Sequence, residues 1–229
     1  KPNYNSFIAT FCHNSLNGIT NIVNDNKKIP LIYIDNLINK IIQKLSQEHT
    51  TEISIKEDTK LEVKYVKKLI DKFKETYITN FNIPKLDTQF KSNLFNTFHS
   101  YIDIESYFPI NHSLKPDERG SFSELIRSST SSQVSFSNTN PNYERGNHFH
   151  TRKVERFSVI EGEALIKIRK IGTVKVYSFL LSGKNPSFVD MKVWHTHSIE
   201  NIGNSNLITV FWINEFYNEN DPDTFFEKV

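Results

Sequence analysis

Two kinds of hydrophobic pattern divide the chain. Up to residue 112, apolar residues recur at spacings of three and four, the period of helices that bury one face. From residue 113 onward, apolar and polar residues alternate in short runs between turns, which is typical of half-buried strands. The pattern predicts an α+β protein with a smaller, mainly helical part at 1–112 and a β-rich part at 113–229.

In the first part the pattern predicts helices and short strands. The predicted helices are Ser6–Asn17, Asn36–Leu45, Leu61–Tyr77 and Phe90–Tyr101. The predicted strands are Ile29–Ile34 and Glu52–Lys56. Ser6 and Asp35 stand where side-chain oxygens cap the first two helices. Helical apolar residues such as Leu37, Ile41 and Ile70 are expected to face a core.

In the second part the pattern predicts strands separated by turns, several of which contain glycine. The predicted strands are Glu124–Ser128, Gln133–Ser137, Arg156–Ile160, Ala164–Arg169, Val174–Leu181, Ser187–Met191 and Leu207–Ile213. Their regular spacing predicts an antiparallel barrel or jelly roll, and its interior has room for one small ligand.

The composition limits the classes of function. A net charge of +2 gives no reason to expect a nucleic acid or an anionic membrane surface as partner. No apolar run approaches the roughly 20 residues of a membrane span, and no signal peptide is visible. The single cysteine, Cys12, excludes an internal disulfide and fits a reducing compartment. We therefore expect a cytoplasmic protein.

Four potential metal ligands lie in the β-rich part. His148 and His150 are separated by one residue, so on an extended strand both rings point to the same side. Glu155 follows five positions later, and His197 comes from a distant segment. Three imidazoles and one carboxylate that converge from two strand pairs commonly hold a first-row divalent metal. We predict that these four residues bind a divalent ion and expect zinc.

The same residues carry a resemblance to the cupins. Together with Gly162 and Asn201, the four ligands have the spacing of the two halves of the cupin signature. The chain has Lys192–Trp194 where cupins usually have a Pro-x-Gly turn before the last histidine. The resemblance covers residues 113–229 and implies a jelly-roll cupin domain that forms a homodimer.

The helical part resembles another family. Its segments P-N-Y-N-S-F-I-A-T-F-C at Pro2–Cys12 and L-I-Y-I-D-N-L at Leu31–Leu37 are similar to the substrate lobe of extended short-chain dehydrogenase/reductases. The nearest likeness is to the bifunctional capsular-polysaccharide enzymes of the CapF type, which join an N-terminal reductase to a C-terminal cupin. The resemblance implies that 1–112 is the remnant of a reductase lobe, and we expect the chain to be a fragment. The sequence has no glycine-rich nucleotide turn and no Tyr-x-x-x-Lys pair, so we expect neither NADPH binding nor a reductase step in this chain.

The start of the β-rich part resembles a sugar-nucleotide enzyme. The run D-E-R-G-S-F-S-E at Asp117–Glu124 is similar to the nucleotide-binding strand of dTDP-sugar 3,5-epimerases. By this resemblance, Arg119 binds a diphosphate as a planar fork. Phe122 then faces the base, and Glu124 accepts a hydrogen bond from it.

The motif Arg145-Gly-x-His148 leaves two roles open for the histidine. In the same epimerases a similar motif supplies the catalytic base without a metal, and Arg145 joins the expected substrate contacts. His148 is therefore either a metal ligand or a base, because a nitrogen lone pair that is bound to a metal cannot take a proton. We favour the metal ligand, because four ligands at cupin spacing seldom coincide by chance.

The resemblances imply a reaction on a UDP-sugar. The expected function is a sugar-nucleotide epimerase that inverts carbon 3 of a UDP-2-acetamido-2,6-dideoxy-4-hexulose during synthesis of surface polysaccharide precursors, by proton abstraction and reprotonation. Besides His148, the candidates for proton transfer are His195, which is close to His197 in sequence, and Lys167, whose strand face lines the cavity or meets solvent.

The alternative is a non-catalytic cupin module that binds a metal and a sugar nucleotide. A third reading, an iron-dependent cupin dioxygenase, is disfavoured by the nucleotide-binding strand.

Overall fold

The computed structural model describes residues 2–4, 6–45, 52 and 54–229 in two compact units. The first unit comprises the residues up to Asn80 together with Pro84–Phe108, and the second comprises Phe81–Ile83 together with Pro109–Val229. The domain boundary at residue 112 and the derivation of the first part from a reductase lobe stay predictions. Within the described part of the chain, no helix is long and apolar enough to cross a membrane.

The first unit is mainly helical. Its helices are α1 Phe7–Leu16, α2 Ile34–Leu45, α3 Val63–Phe73, α4 Gln89–His99 and α5 Ile104–Tyr107, and α3 continues into a π-helical segment, Lys74–Thr79. Two short strands, β1 Lys28–Leu31 and β2 Thr59–Glu62, pair antiparallel. As predicted, Ser6 caps α1, because its hydroxyl accepts a hydrogen bond from the backbone N–H of Ala9.

One hydrophobic core holds this unit together. The helical spacing of Val66, Ile70 and Phe73 places them on one face of α3, and all three are buried. The buried core residues are Phe11, Cys12, Val63, Val66, Ile70, Phe73, Leu94 and Phe98. Burial raises the pKa of the Cys12 thiol to about 12, so this cysteine behaves as a small hydrophobic residue.

Helix α2 begins earlier than predicted. It starts at Ile34, which shortens the predicted strand before it, and Asp35 lies in its first turn instead of at the cap. The carboxylate of Asp58 takes the capping role. It accepts hydrogen bonds from the backbone N–H of Tyr33 at 2.9 Å and from the side chain of Asn36 at 2.8 Å.

The surroundings of α2 also differ from the prediction. Its apolar residues were expected in a core, but α2 has no buried residue, and Ile42 is 58% exposed. The predicted strand Glu52–Lys56 does not form at 52 or 54–56, and residue 53 lies outside the described residues. The strand of this region is β2, which begins at Thr59, three residues after the end of the predicted strand.

The second unit is a jelly roll of two antiparallel sheets, and the α+β prediction with a cupin-type second part is confirmed. Its strands are β3 Lys115–Asp117, β4 Gly120–Ser128, β5 Ser132–Thr139, β6 Glu144–Phe149, β7 Glu155–Glu161, β8 Glu163–Lys170, β9 Val176–Ser182, β10 Ser187–Met191, β11 His195–Asn201, β12 Leu207–Ile213 and β13 Phe225–Phe226. One sheet has the order β10-β7-β12-β5-β4-β3 and the other the order β13-β6-β11-β8-β9. The described strands form two separate sheets, which agrees with the jelly roll of the two predicted alternatives and not with a closed barrel.

The inner faces of the two sheets are defined by their buried residues. Residues directly opposite each other on antiparallel strands point to the same face. Ile199 stands opposite Ile166 in the five-stranded sheet, and Phe157 stands opposite Phe211 in the six-stranded sheet. The buried core between the sheets consists of Phe157, Val159, Ala164, Ile166, Ile168, Leu181, Met191, Ile199 and Leu207.

Candidate metal centre

The four predicted ligands converge between the two sheets. His148 on β6 stands opposite His197 on β11, and His197 stands opposite Ile168 of the core. His150 follows the end of β6, and Glu155 begins β7 in the other sheet. One ligand atom from each of the four lies within 4.8 Å of the others.

A bulge in the backbone places His148 opposite His197. The register of the β6–β11 pair shifts between His197 and Ser198, and Asn147 adopts a φ of 59° at this point. Gly146 has a φ of 98°, and a Cβ atom there would lie 2.6 Å from the carbonyl oxygen of His197. Only glycine allows the two strands to approach this closely.

Trp194 replaces the glycine of the usual cupin turn. It adopts the left-handed region with a φ of 58°. Its backbone N–H donates to the carbonyl of His150 at 2.7 Å, and its ring stacks on Phe149 at 5.8 Å between ring centroids. These contacts hold the turn that leads into β11 despite the Lys192–Trp194 sequence.

The donor atoms fit a divalent cation. The Nε2 atoms of His150 and His197 lie 3.3 and 3.1 Å from a carboxylate oxygen of Glu155. All three atoms are buried, and none has a hydrogen bond of acceptable geometry to a protein group. Buried polar atoms without a partner are costly, and a bound cation would satisfy them together.

The protonation of the cluster favours a metal. Burial and, second, the neighbouring His197 lower the pKa of His148 to about 4, so this imidazole is neutral near pH 7. Burial opposes ionisation of Glu155, but the close contacts with the imidazoles of His150 and His197 hold its pKa well below the ordinary value. Burial also favours neutral His150, but Glu155 outweighs it and raises the pKa of that imidazole. A buried carboxylate surrounded by imidazoles is the donor set that zinc-type ions prefer.

Asp223 supports the cluster from the C-terminal segment. Its carbonyl accepts a hydrogen bond from Nδ1 of His150 at 2.5 Å, which leaves Nε2 directed at the cluster. Its carboxylate accepts from the backbone N–H groups of Thr151, Arg152 and Lys153 at 3.1, 3.0 and 3.2 Å, and from the Thr151 hydroxyl at 2.6 Å. Burial opposes the charge of Asp223, but these bonds outweigh it and lower its pKa to about 2. No motif in the sequence indicates this residue.

The two other candidates for proton transfer lie on different faces. His195 is two residues before His197 on β11 and therefore shares its inner face. Its Nδ1 lies 2.8 Å from the carbonyl of Val193. Lys167 stands opposite Ser198, and its side chain bonds Glu200 at 3.0 Å, so it occupies the outer face of the sheet. The structure brings His195 to the same side as the cluster and does not bring Lys167 there.

Two of the predicted substrate contacts share one carboxylate. Arg119 donates to Asp117 at 2.6 Å, and Arg145 donates to both oxygens of the same carboxylate at 3.1 Å. Arg145 also bonds the hydroxyl of Thr139 at 3.0 Å. The charges of both arginines are thus partly neutralised within the protein.

The other two predicted contacts lie on the inner face of β4. Phe122 packs near Phe211, with 6.3 Å between ring centroids. Glu124 accepts hydrogen bonds on both oxygens from Arg127, at 3.1 and 2.8 Å. Its carboxylate therefore already holds a partner from its own strand.

Fold and site together define a class of protein. A jelly roll with three histidines and a glutamate that converge between its sheets is a cupin with a potential metal centre. Residues 115–225 match the family described as polysaccharide biosynthesis C-terminal domain.

Two solved structures narrow the class. CapF from Staphylococcus aureus, a capsular polysaccharide assembling protein, is 34% identical with a TM-score of 0.87 over 100% of this chain and 63% of its own. CapF with the inhibitor 3-isopropenyl-tropolone is also 34% identical, with a TM-score of 0.86 over 100% of this chain and 68% of its own. The chain belongs to the CapF family.

A curated relative has a name that states a substrate. The UDP-2-acetamido-2,6-beta-L-arabino-hexul-4-ose reductase of Pseudomonas aeruginosa is 29% identical over 98% of this chain. The chain spans 61% of the length of that relative.

Proposed function

We propose that the chain is a metal-dependent sugar-nucleotide epimerase. It acts in the cytoplasm on a UDP-2-acetamido-2,6-dideoxy-4-hexulose and inverts carbon 3, as a step toward surface polysaccharide precursors. The observation that carries the proposal is the cluster of three histidines and one glutamate inside the cupin-type unit. The name of the Pseudomonas relative, which contains a 4-keto UDP-sugar, supports the choice of substrate.

We assign the metal to His148, His150, Glu155 and His197, and propose zinc. When bound, the ion supplies Lewis-acid stabilisation of negative charge on the 4-keto oxygen of the substrate. The neutral state of His148 near pH 7 agrees with a ligand role, because its lone pair is available.

We assign proton transfer to His195. If Nδ1 donates its proton to the carbonyl of Val193, then Nε2 carries the lone pair and is the basic atom. This atom takes the proton from carbon 3, and the electrons of the broken C–H bond move into the enolate with the carbonyl at carbon 4. Return of a proton to the opposite face of carbon 3 gives the inverted product. His148 is the second candidate for the base if it does not bind the metal.

The predicted substrate contacts remain Arg119, Phe122, Glu124 and Arg145. Arg119 and Arg145 meet at the carboxylate of Asp117, whereas Phe122 and Glu124 lie further along the inner face of β4. We also propose a homodimer through the cupin-type unit, which light scattering of the purified chain tests.

We assign no reduction step to this chain, because its sequence lacks the glycine-rich turn and the Tyr-x-x-x-Lys pair.

Exchange in deuterated water tests the reaction. The chain is incubated with the 4-keto UDP-sugar, and carbon 3 is followed by NMR. The parent chain is expected to incorporate deuterium with inversion at carbon 3. The rate of this exchange is expected to fall at least about a hundredfold in His195→Asn. In Lys167→Met the exchange rate is expected to show no significant change. Binding of the sugar nucleotide without exchange would instead support the non-catalytic module.

Metal analysis decides the role of His148. If His148 is a ligand, His148→Ala loses both metal and exchange. If His148 is the base, the same variant keeps its metal and loses only exchange.

A further inference from the structure

A broad depression lies on the surface of the second unit, at the end of β4 that carries Arg127. Its volume is about 640 Å³, which is within the size range of small-molecule sites. Its lining includes the cations Lys115 and Arg127, the rings of Phe216 and Tyr217, and the carboxylates of Glu215 and Glu219. Two aromatic rings and two cations in one depression are the groups that recognise a base and a phosphate chain.

The cations in this depression are prepared for an anion. Arg127 is fixed by two hydrogen bonds to Glu124, and its guanidinium lies 4.8 Å from the ring centre of Phe216. A guanidinium that is already held in place loses little conformational freedom when a phosphate binds. Lys115 is exposed and takes part in no ion pair within the described residues. Its ammonium is therefore available to a second phosphoryl group.

The aromatic side is partly exposed, and the ammonium of Lys153 lies 5.8 Å from the ring centre of Tyr217. Tyr217 is 54% exposed, and Phe216 is partly exposed beside it. The backbone N–H of Tyr217 donates to the side chain of buried Gln133 at 3.2 Å, which anchors this segment to the sheet. Asn218 adds an amide that can donate to and accept from a pyrimidine edge.

The depression and the metal cluster lie at the same end of the six-stranded sheet. Gln133 on β5 stands opposite both Arg127 and Ile213, and Ile213 stands opposite Glu155 of the cluster. Neighbouring strands are about 5 Å apart, so Gln133 and Glu155 are separated by roughly 10 Å of backbone. Arg127 lies one strand beyond Gln133, so a nucleotide sugar bound here extends across roughly 15 Å of backbone to reach the cluster.

The position that the sequence predicts for the nucleotide is the competitor. Arg119 lies at the opposite end of β4, and it shares the carboxylate of Asp117 with Arg145. Both oxygens of Glu124 accept a hydrogen bond from Arg127, so its charge is already paired within the protein. Glu124 is thus a positioning residue for Arg127.

We propose that this depression binds the nucleoside diphosphate part of the substrate. The pyrimidine ring lies against Phe216 and Tyr217, and the diphosphate lies between Lys115 and Arg127 and directs the sugar toward the metal cluster. The inference rests on the proposed function for its choice of a UDP-sugar.

Calorimetric titration of the full chain with UDP tests the site. Lys115→Met is expected to weaken UDP binding about tenfold, because it removes one charge-assisted contact. Phe216→Leu is expected to weaken it at least about fivefold, because it removes one stacking surface. The matched controls are Lys184→Met and Phe188→Leu. Phe188 also carries an arginine over its ring, Arg156 at 3.9 Å, but lies outside the depression.

The outcomes separate this site from its competitor and from the proposed reaction. UDP affinity that is unchanged in Lys115→Met and Phe216→Leu but lost in Arg119→Met overturns the inference, as does a parent chain that does not bind UDP. If the site is correct, the same two variants raise KM for exchange at carbon 3 and leave kcat within about twofold. If no protein shows exchange but UDP binding still depends on Lys115 and Phe216, the reaction is refuted and the site stands.

Discussion

Replacement of Asp223 by asparagine tests how the C-terminal segment supports the candidate metal centre. The substitution keeps the size of the side chain and removes its charge. The carboxylate accepts hydrogen bonds from four donor groups of Thr151, Arg152 and Lys153. An asparagine amide offers one acceptor oxygen, and its NH₂ group then faces N–H donors.

The pKa of Asp223 gives the magnitude. A fall from the ordinary value of 3.8 to about 2 corresponds to about 2.5 kcal/mol of stability at pH 7. Because the pKa is lower in the folded state, this stability is present above pH 4 and is lost as the pH falls through about 2. At pH 3 roughly half of it remains.

Urea unfolding followed by tryptophan fluorescence measures this effect. Both tryptophans, Trp194 and Trp212, lie in the second unit, so the signal reports that unit. Asp223→Asn is expected to lose about 2.5 kcal/mol at pH 7 and about half as much at pH 3. Its metal affinity is expected to fall about tenfold, because the orientation of His150 is less restrained.

Asp221→Asn is the matched control. Asp221 lies in the same segment and bonds Arg152 at 2.7 Å, but its side chain is 64% exposed. Its loss is expected to stay below about 1 kcal/mol. An equal loss in the two variants, or a loss in Asp223→Asn that does not change between pH 7 and pH 3, would refute the reasoning.

Three further predictions concern the cluster and the first unit. His150→Ala is expected to reduce bound divalent metal from about one ion per chain to a small fraction of that, and an unchanged content by mass spectrometry would remove His150 from the site. Gly146→Ala is expected to cost at least about 2 kcal/mol and to weaken metal binding, because its methyl group meets the carbonyl of His197. Gly172→Ala is the control that measures backbone strain alone, because Gly172 has a φ of 77° and a Cβ atom there would have no neighbour within 4 Å. An equal loss of stability in the two variants would contradict the steric argument. Ile70→Ala is expected to destabilise the first unit by about 2–5 kcal/mol in helical circular dichroism without a change in metal content, and a loss of metal would show that the effect is not local.

Local patterns predicted much of the fold. The alternation of Phe157 and Val159 on β7, and the helical spacing of Val66 and Ile70 on α3, both correspond to burial in the structure. Such patterns succeed because each segment must bury one face. The same logic failed for α2, whose apolar residues such as Ile42 are exposed in the described structure. Periodicity shows that a helix has an apolar face and does not show what covers it.

The candidate site was predictable only where its residues lie close together in the sequence. His148, His150 and Glu155 lie within eight residues, and the spacing indicated that they converge. Asp223 lies 73 residues after His150 and was missed, because a carbonyl acceptor has no sequence signal. The occupation of Glu124 by Arg127 was missed for a related reason: a motif shows which residues are present and not which partners they already have.

The last strand has a consequence for how the protein is made. A ribosome releases His150 long before Asp223, and β13 cannot pair with β6 until Phe225 and Phe226 have emerged. During translation, His150 is therefore not held in its final orientation until the C-terminal segment with Asp223 has been synthesised. A metal whose binding depends on the oriented His150 would then be bound late, after the rest of the second unit has been synthesised.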